Sequence, residues 1–102
     1  MNFNDLLTAG YKNPTVALFY GTYCAPCERL KPKLREVCQE LGVRLESFNS
    51  SAEMPALRAL GIRSVPAIVV VHKGVAKLAF TGDLDHQKIR FSLQSADIRS
   101  VS

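Results

Sequence analysis

The sequence predicts an α/β domain with a mixed sheet of about four strands and helices on both faces. Helix and strand patterns follow one another in the order α-β-α-β-α-β-β-α. An early strand–helix–strand crossover requires a parallel pair of strands, and a late hairpin requires an antiparallel pair. The length of 102 residues and the hydrophobic fraction of 47% suit one domain, which we expect to span residues 1–102.

The first helix and the first strand are both short. The segment from Asn2 to Ala9 is typical of an opening helix that is capped by Asn2 or Asn4 and ended by Gly10. The continuous apolar run from Val16 to Tyr20 is typical of a strand that is buried on both faces.

A long helix follows the first strand. Apolar residues from Ala25 to Leu41 recur at helical spacing, and Gly42 is suited to end the helix. The apolar stripe comprises Leu30, Leu34, Val37, Cys38 and Leu41. Pro32 lies inside this helix and is expected to kink it, because proline removes one hydrogen bond and clashes with the preceding turn.

The second half of the chain is richer in strands. We expect strands over Val43–Phe48, Ala67–Val71 and Val75–Phe80, with a short helix over Ala52–Leu60. The residues 72–74 form the turn of the hairpin. Asp83 or Asp85 can cap a last helix, which carries Ile89, Phe91 and Leu93, and the residues after Ala96 are expected to fray.

Composition and charge exclude several classes of function. The net charge is +4, but the thirteen Lys and Arg residues are scattered and no aromatic residues alternate with them. This pattern indicates a solvated basic surface that favours acidic partners rather than a nucleic-acid interface. No apolar run approaches the roughly 18 residues of a membrane helix, so no membrane association is expected. The N-terminus lacks the pattern of a secretory signal, and a cytoplasmic location is therefore expected.

The cysteines point to redox chemistry. Three cysteines are too few for a disulfide scaffold, and neither a second cysteine pair nor a histidine pair at ligand spacing accompanies them, so we expect no metal site. Cys24 and Cys27 form a Cys-x-x-Cys motif between a buried strand and a helix start. The N-terminus of a helix carries about half a positive charge, which stabilises a thiolate.

In this position each residue of the motif has a role. Cys24 is expected to be the attacking nucleophile, and Cys27, one turn further along the helix, the cysteine that resolves the mixed disulfide. Pro26 suits the first helical turn, where its missing N–H costs nothing. The alternatives are half of a metal site or two unrelated cysteines.

Four segments resemble the thioredoxin family. The segment 19–27, Phe-Tyr-Gly-Thr-Tyr-Cys-Ala-Pro-Cys, is similar to the family's active-site segment, with tyrosines where thioredoxins usually carry tryptophan. Pro32 matches the proline that kinks the family's helix. The segment 61–66 resembles a loop with a cis-proline, Pro66, that faces the cysteine pair, and Thr81-Gly82 matches the glycine that borders the substrate groove.

The resemblance implies a thioredoxin fold and a thiol–disulfide oxidoreductase that reduces protein disulfides. It implies no cofactor beyond the redox-active disulfide, recycling by a thioredoxin reductase, and a monomer. A cis bond before Pro66 exposes the backbone of Val65 to an extended substrate. The implied substrate-binding residues are Tyr23, Ala25, Pro26, Val65, Pro66, Thr81 and Gly82. Tyr20 and Tyr23 can also be plain core or surface aromatics, and for Tyr20 this interpretation and a functional role are about equally favoured.

The sequence departs from the family at one position of chemical importance. Thioredoxins carry a buried aspartate six residues before the first cysteine, with a lysine partner on the next strand, but here that residue is Leu18. The family's carboxylate is held to accept and return the proton of the second cysteine. We expect the fold to be unaffected and resolution by Cys27 to be slower, or to depend on water or a substrate group.

Two other functions remain open. A glutaredoxin-like, glutathione-dependent reductase is suggested by the acidic turn Gly82-Asp83-Leu84-Asp85, although no basic residue directly precedes Cys24. A non-catalytic binding subunit is the second alternative.

The third cysteine, Cys38, lies about 16 Å along the helix from Cys27, so we expect it to be buried and inert. His72 and His86 are expected on the solvated surface.

Overall fold

The structure is a computed structural model that describes residues 1–96. In chain order its elements are α1 (Phe3–Thr8), β1 (Thr15–Tyr20), α2 (Ala25–Leu41), β2 (Arg44–Asn49), a 3₁₀ helix (Ser50–Ala52), α3 (Met54–Leu60), β3 (Ala67–His72), β4 (Val75–Thr81) and α4 (His86–Ser95). The expected order of helices and strands is confirmed. The expectation that the residues after Ala96 fray lies outside the described part of the chain.

The sheet has four strands in the order β2-β1-β3-β4. β1 pairs with β2 in parallel and with β3 in antiparallel, and β4 completes an antiparallel hairpin with β3. A bulge between Ile68 and Val69 shifts the register of that hairpin. The predicted mixed sheet is therefore confirmed, with β1 and β3 at its centre.

Helices cover both faces of the sheet. Alternate residues of β1 and β3 point to opposite faces, so each face carries apolar side chains that a helix can bury. One apolar cluster lies under α2 and α4 and includes Val16, Leu18, Leu30, Leu34, Val37, Cys38, Ile68, Val70, Ile89, Leu93 and Ala96. The other lies under α1 and α3 and includes Phe3, Leu6, Ala17, Phe19, Phe48, Leu57, Ile62, Ala67, Val69 and Val71. Within residues 1–96, no helix combines the length and the apolar character needed to cross a bilayer.

Side-chain caps decide where the first and last helices begin. Asn2 caps α1 in a reciprocal pair of hydrogen bonds with Asp5, and the helix ends at Thr8, one residue before the expected Ala9. Asp85, not Asp83, caps α4 by accepting a hydrogen bond from the N–H of Lys88 at 2.9 Å.

One expectation from the second half of the chain was wrong in detail, and the burial of α4 adds a detail that the sequence did not predict. The segment expected as one helix from Ala52 is divided, because Glu53 has the non-helical dihedral angles φ −126° and ψ 27°. On α4, Ile89 and Leu93 are fully buried, whereas the side chain of Phe91 is 71% exposed and does not join the core. α2 continues through Pro32 as one helix.

Candidate active site

The cysteine pair lies where β1 gives way to α2. Cys24 is the N-cap residue of α2, and its Sγ atom accepts a hydrogen bond from the N–H of Cys27 at 3.3 Å. The two cysteines form a disulfide whose Cα atoms are 5.3 Å apart. Cys27 is fully buried, whereas Cys24 is partly exposed. An external thiol or disulfide can therefore reach the sulfur of Cys24 but not that of Cys27.

The start of α2 gives this sulfur a favourable electrostatic setting. The unpaired N–H groups of the first helical turn and the helix dipole both stabilise negative charge at the N-cap position. A thiolate formed at Cys24 lies at that position and is stabilised by the start of the helix. Ala25 and Pro26 occupy the first turn, where Ala25 is exposed and Pro26 is half-buried.

Tyr23 is presented to solvent directly beside Cys24. Its backbone has a φ of 56°, in the left-handed region that bulky residues rarely adopt, and its side chain is fully exposed. The aromatic ring therefore lies in solvent rather than in the core, on the residue next to Cys24. The expectation that Tyr23 contacts substrate stays a prediction.

A second loop packs against the turn that leads to the cysteines. The Val65–Pro66 peptide bond is cis, as the resemblance implied. A Cβ atom placed on Gly21 would lie 3.1 Å from Cγ2 of Val65 and 3.7 Å from Cβ of Cys24. Gly21 thus marks the point where the two loops meet. Among the hydrogen bonds formed within residues 1–96, none uses the backbone N–H or C=O of Val65, so both groups are available to a bound chain.

The end of β4 borders the site on a third side, beside the start of α2 and the loop that carries Val65. The N–H of Gly82 donates a hydrogen bond to the carbonyl oxygen of Pro66 at 2.8 Å, and Thr81 is paired with Ala67. The structure therefore brings Cys24, Val65, Pro66, Thr81 and Gly82 together at one end of the sheet. Their proposed roles in binding substrate stay predictions, but their predicted proximity is present.

Leu18 occupies the place where the family carries a buried carboxylate. It is 1% exposed and lies in the apolar cluster under α2 and α4. Its partner on β2 is Ser47, which is exposed and carries no charge. An apolar side chain at position 18 is thus well accommodated, and it offers no group that can take up a proton.

Tyr20 occupies a position between the core and the surface. The ring is half-buried, and the ammonium group of Lys31 lies 4.5 Å from its centroid in a cation–π contact. Lys31 also lies 3.5 Å from the carboxylate of Glu28. The contact attaches the end of β1 to the second turn of α2, next to the cysteine pair.

The acidic turn after β4 is already engaged within the chain. The carboxylate of Asp83 accepts hydrogen bonds from Nε of Arg29 at 3.1 Å and from Nζ of Lys33 at 2.7 Å. The hydrogen bond from Lys33 is the main reason that the pKa of Asp83 lies below its usual value. Because Asp85 caps α4, both carboxylates of this turn already have partners within the chain.

The remaining cysteine is separate from the site. Cys38 is 2% exposed, and burial raises the pKa of its thiol to about 12. The expected burial is confirmed, and at neutral pH this thiol stays protonated and unreactive. His86 is paired with Glu36 and His72 with the backbone of Lys12, so both histidines have local partners.

Sequence reasoning missed two features of the site. A groove of about 460 Å³ borders the Val65 loop, and it is lined by Ser50, Met54, Leu57, Ile62, Arg63, Ser64 and Val65. The second feature is the pair of cations, Arg29 and Lys33, that hold Asp83. The spacing of those two residues places them on one face of α2, but no pattern in the sequence indicates their distant partner.

Comparison with known proteins gives a consistent result. The family model described as Thioredoxin matches residues 1–95. Thioredoxin Y from the chloroplast of Oryza sativa is 28% identical over 93% of this chain and 57% of its own length. The thioredoxin-like protein slr0233 of Synechocystis is 31% identical over 72% of this chain and 70% of its own length.

The solved structures agree in fold. The crystal structure of chloroplastic thioredoxin z matches 91% of this chain and 86% of its own, with a TM-score of 0.71 at 21% sequence identity. This likeness shows the same mixed sheet flanked by helices. The chain spans about half the length of the chloroplastic thioredoxins that it matches, from 40% to 57%.

Proposed function

Because this chain belongs to the thioredoxin family, we propose that it is a thiol–disulfide oxidoreductase that reduces disulfides in protein substrates. The observation that carries the proposal is the asymmetry of the cysteine pair. Cys24 is partly exposed at the start of α2, whereas Cys27 is fully buried and already within disulfide distance of it. One cysteine can attack from outside, and the other can react only with its neighbour.

The reaction starts from the dithiol form. The thiolate of Cys24 attacks one sulfur of the substrate disulfide, forming a mixed disulfide and releasing the other substrate sulfur as a thiolate, which takes a proton from water. Cys27 then loses its proton and attacks the sulfur of Cys24, which releases the second substrate thiolate. Two electrons have passed to the substrate, and the protein holds the Cys24–Cys27 disulfide seen in the structure. An external dithiol, which we propose is supplied by a thioredoxin reductase, returns it to the dithiol form.

The surroundings of Cys24 suit an extended polypeptide. The backbone N–H and C=O of Val65 can pair with a substrate strand in the manner of β-augmentation. The ring of Tyr23 supplies an apolar contact on one side, and the backbone of Thr81 and Gly82 borders the other. Ala25 and Pro26 complete the surface that the substrate faces.

Resolution takes place without a buried carboxylate. Leu18 cannot accept the proton of Cys27, so that proton passes to water or to the departing substrate thiolate. We propose that this second step limits the rate of turnover. The protein then holds its mixed disulfide with substrate longer than a thioredoxin with an acidic residue at this position.

Reduction of insulin tests the proposed function. The wild-type protein should accelerate insulin reduction by dithiothreitol, and Cys24→Ser should abolish that acceleration. Cys27→Ser should instead accumulate a mixed disulfide through Cys24, visible by mass under non-reducing conditions. If the wild-type protein gives no acceleration, the proposal is wrong and the binding-subunit alternative is favoured. If Cys24→Ser retains full activity, Cys24 is not the nucleophile and the proposed mechanism is wrong.

The source of electrons separates this proposal from the glutaredoxin-like alternative. We expect a flavoprotein thioredoxin reductase with NADPH to reduce the Cys24–Cys27 disulfide, and glutathione with its reductase to do so poorly. The engagement of Asp83 by Arg29 and Lys33 supports this expectation. Efficient recycling by glutathione alone would favour the alternative.

A further inference from the structure

Asp83 joins two elements that meet at the active site. Its carboxylate receives one hydrogen bond from Arg29 and one from Lys33, which lie on the same face of α2. The side chains of Asp83 and Lys33 are 22% and 27% exposed, so this pair is shielded from water more than an ordinary surface ion pair. We call these three residues the Asp83 clamp.

The Asp83 clamp continues directly into the wall of the substrate site. Gly82 is the neighbour of Asp83 in the chain, and its N–H is bonded to the carbonyl oxygen of Pro66. Arg29 lies two residues beyond Cys27 on the same helix. A chain of contacts thus runs from the cysteine helix through Asp83 and Gly82 to the loop that carries Val65 and Pro66.

The two ion pairs that join α2 to α4 do not have this connection. Glu40 pairs with Arg90 at 2.7 Å and Glu36 pairs with His86, and both contacts join α2 to α4 further from the cysteines. They hold one helix against another. Asp83 instead ties to α2 the loop that follows Gly82, a residue whose φ of 87° lies in the left-handed region that favours glycine.

We propose that Asp83 is a positioning residue that holds the Thr81–Gly82 wall at a fixed distance from the cysteine pair. This inference rests on the proposed function. A polypeptide substrate must touch both the Val65 loop and this wall while its disulfide lies at Cys24, so binding depends on their separation. A small disulfide needs only access to the sulfur of Cys24 and is indifferent to the wall.

Two substrates and one matched control test this role. Asp83→Asn keeps the shape of the side chain and removes its charge, and Glu40→Gln does the same to an α2–α4 pair away from the site. With reduced protein in rapid mixing, Asp83→Asn should raise the half-saturating insulin concentration about three- to fivefold, with the limiting rate little changed. Its reaction with dithiobis(nitrobenzoate) should stay within about twofold of wild type, and Glu40→Gln should alter neither reaction.

A second variant shows that the effect passes through the clamp. Lys33→Gln leaves the loop sequence and the Arg29–Asp83 pair intact and should change insulin saturation in the same direction as Asp83→Asn. The double variant should be no worse than Asp83→Asn alone, because that variant already removes the charge with which Lys33 pairs. Thermal unfolding of each variant establishes that the comparison is made between folded proteins.

Each outcome of this experiment either supports or overturns the positioning role of Asp83. A change in insulin saturation that spares the small disulfide supports the positioning role. Equal loss on both substrates, or no change on either, overturns it. If the wild-type protein reduces neither disulfide, the proposed function itself fails, and this result is distinct from a failure of Asp83 alone.

Discussion

The side chain of Val65 lies directly over Gly21, so that a Cβ atom at position 21 would come within 3.1 Å of its Cγ2 atom. This approach joins the turn before Cys24 to the loop before Pro66. The two halves of the substrate site therefore meet at a contact where a Cβ atom would fit only if Val65 shifted slightly.

Gly21→Ala should displace Val65 and weaken substrate binding. The added methyl group would lie closer to Cγ2 of Val65 than ordinary van der Waals contacts do. We therefore expect a loss of about 1 kcal/mol in the free energy of unfolding. We also expect a several-fold rise in the half-saturating insulin concentration. Thr22→Ala, at the exposed neighbouring position, is the control and should change neither quantity. Wild-type insulin kinetics in Gly21→Ala would show that the approach of Val65 is unimportant.

Two substitutions of Tyr23 distinguish the effect of backbone strain from the effect of lost substrate contact. Its φ of 56° is costly for any residue with a side chain, so Tyr23→Gly should raise the free energy of unfolding by about 0.5–1 kcal/mol. Tyr23→Ala keeps a Cβ atom and should not gain this stability. Both variants lose the exposed ring and should bind insulin more weakly, measured by saturation kinetics. If Tyr23→Ala binds insulin as well as wild type, the ring does not contact substrate.

Leu18→Asp tests the missing proton acceptor. Placing a carboxylate at a position that is 1% exposed should lower the free energy of unfolding by about 3–5 kcal/mol, measured in urea. The same change should accelerate resolution, seen as the second phase of nitrothiobenzoate release after mixing reduced protein with dithiobis(nitrobenzoate). Leu18→Asn is the control, because it is polar but cannot exchange a proton. An unchanged or slower second phase in Leu18→Asp would show that the absent carboxylate does not limit turnover.

The buried thiol of Cys38 should make the free energy of unfolding depend on pH in alkaline solution. Burial raises the pKa of this thiol from 9.0 to about 12, so the folded state retains the proton when the unfolded state has lost it. The stability that the neutral thiol contributes is complete below pH 9 and declines as the pH rises from 9 toward 12. The difference in unfolding free energy between wild type and Cys38→Ala should therefore shrink above pH 9. A difference that is constant with pH would contradict the raised pKa.

Local patterns in the sequence predicted much of the fold and the reactive centre. The apolar run of β1, the helical stripe of α2 and the position of Cys24 between them are properties of neighbouring residues, and the structure has all three. The division of the segment near Glu53 and the exposure of Phe91 were not predicted. Both depend on which residues the rest of the fold covers, and helical spacing alone does not determine that.

The parts of the site that escaped prediction are contacts between distant residues. Asp83 and Lys33 are separated by 50 positions, and Gly21 meets Val65 across the gap between two loops. Each residue by itself has an ordinary explanation as a surface charge or a turn glycine. Only the packing of α2, β3 and β4 around one end of the sheet gives these residues a shared location.

The central place of β1 in the sheet has a consequence for the way the protein opens. This strand has paired neighbours on both sides and apolar clusters on both faces. Its amide hydrogens should therefore exchange with solvent only through global unfolding, while those of the edge strands β2 and β4 exchange through smaller openings. Cys24 follows one of the two central strands, so local opening at the edge strands leaves the backbone that carries this cysteine in place.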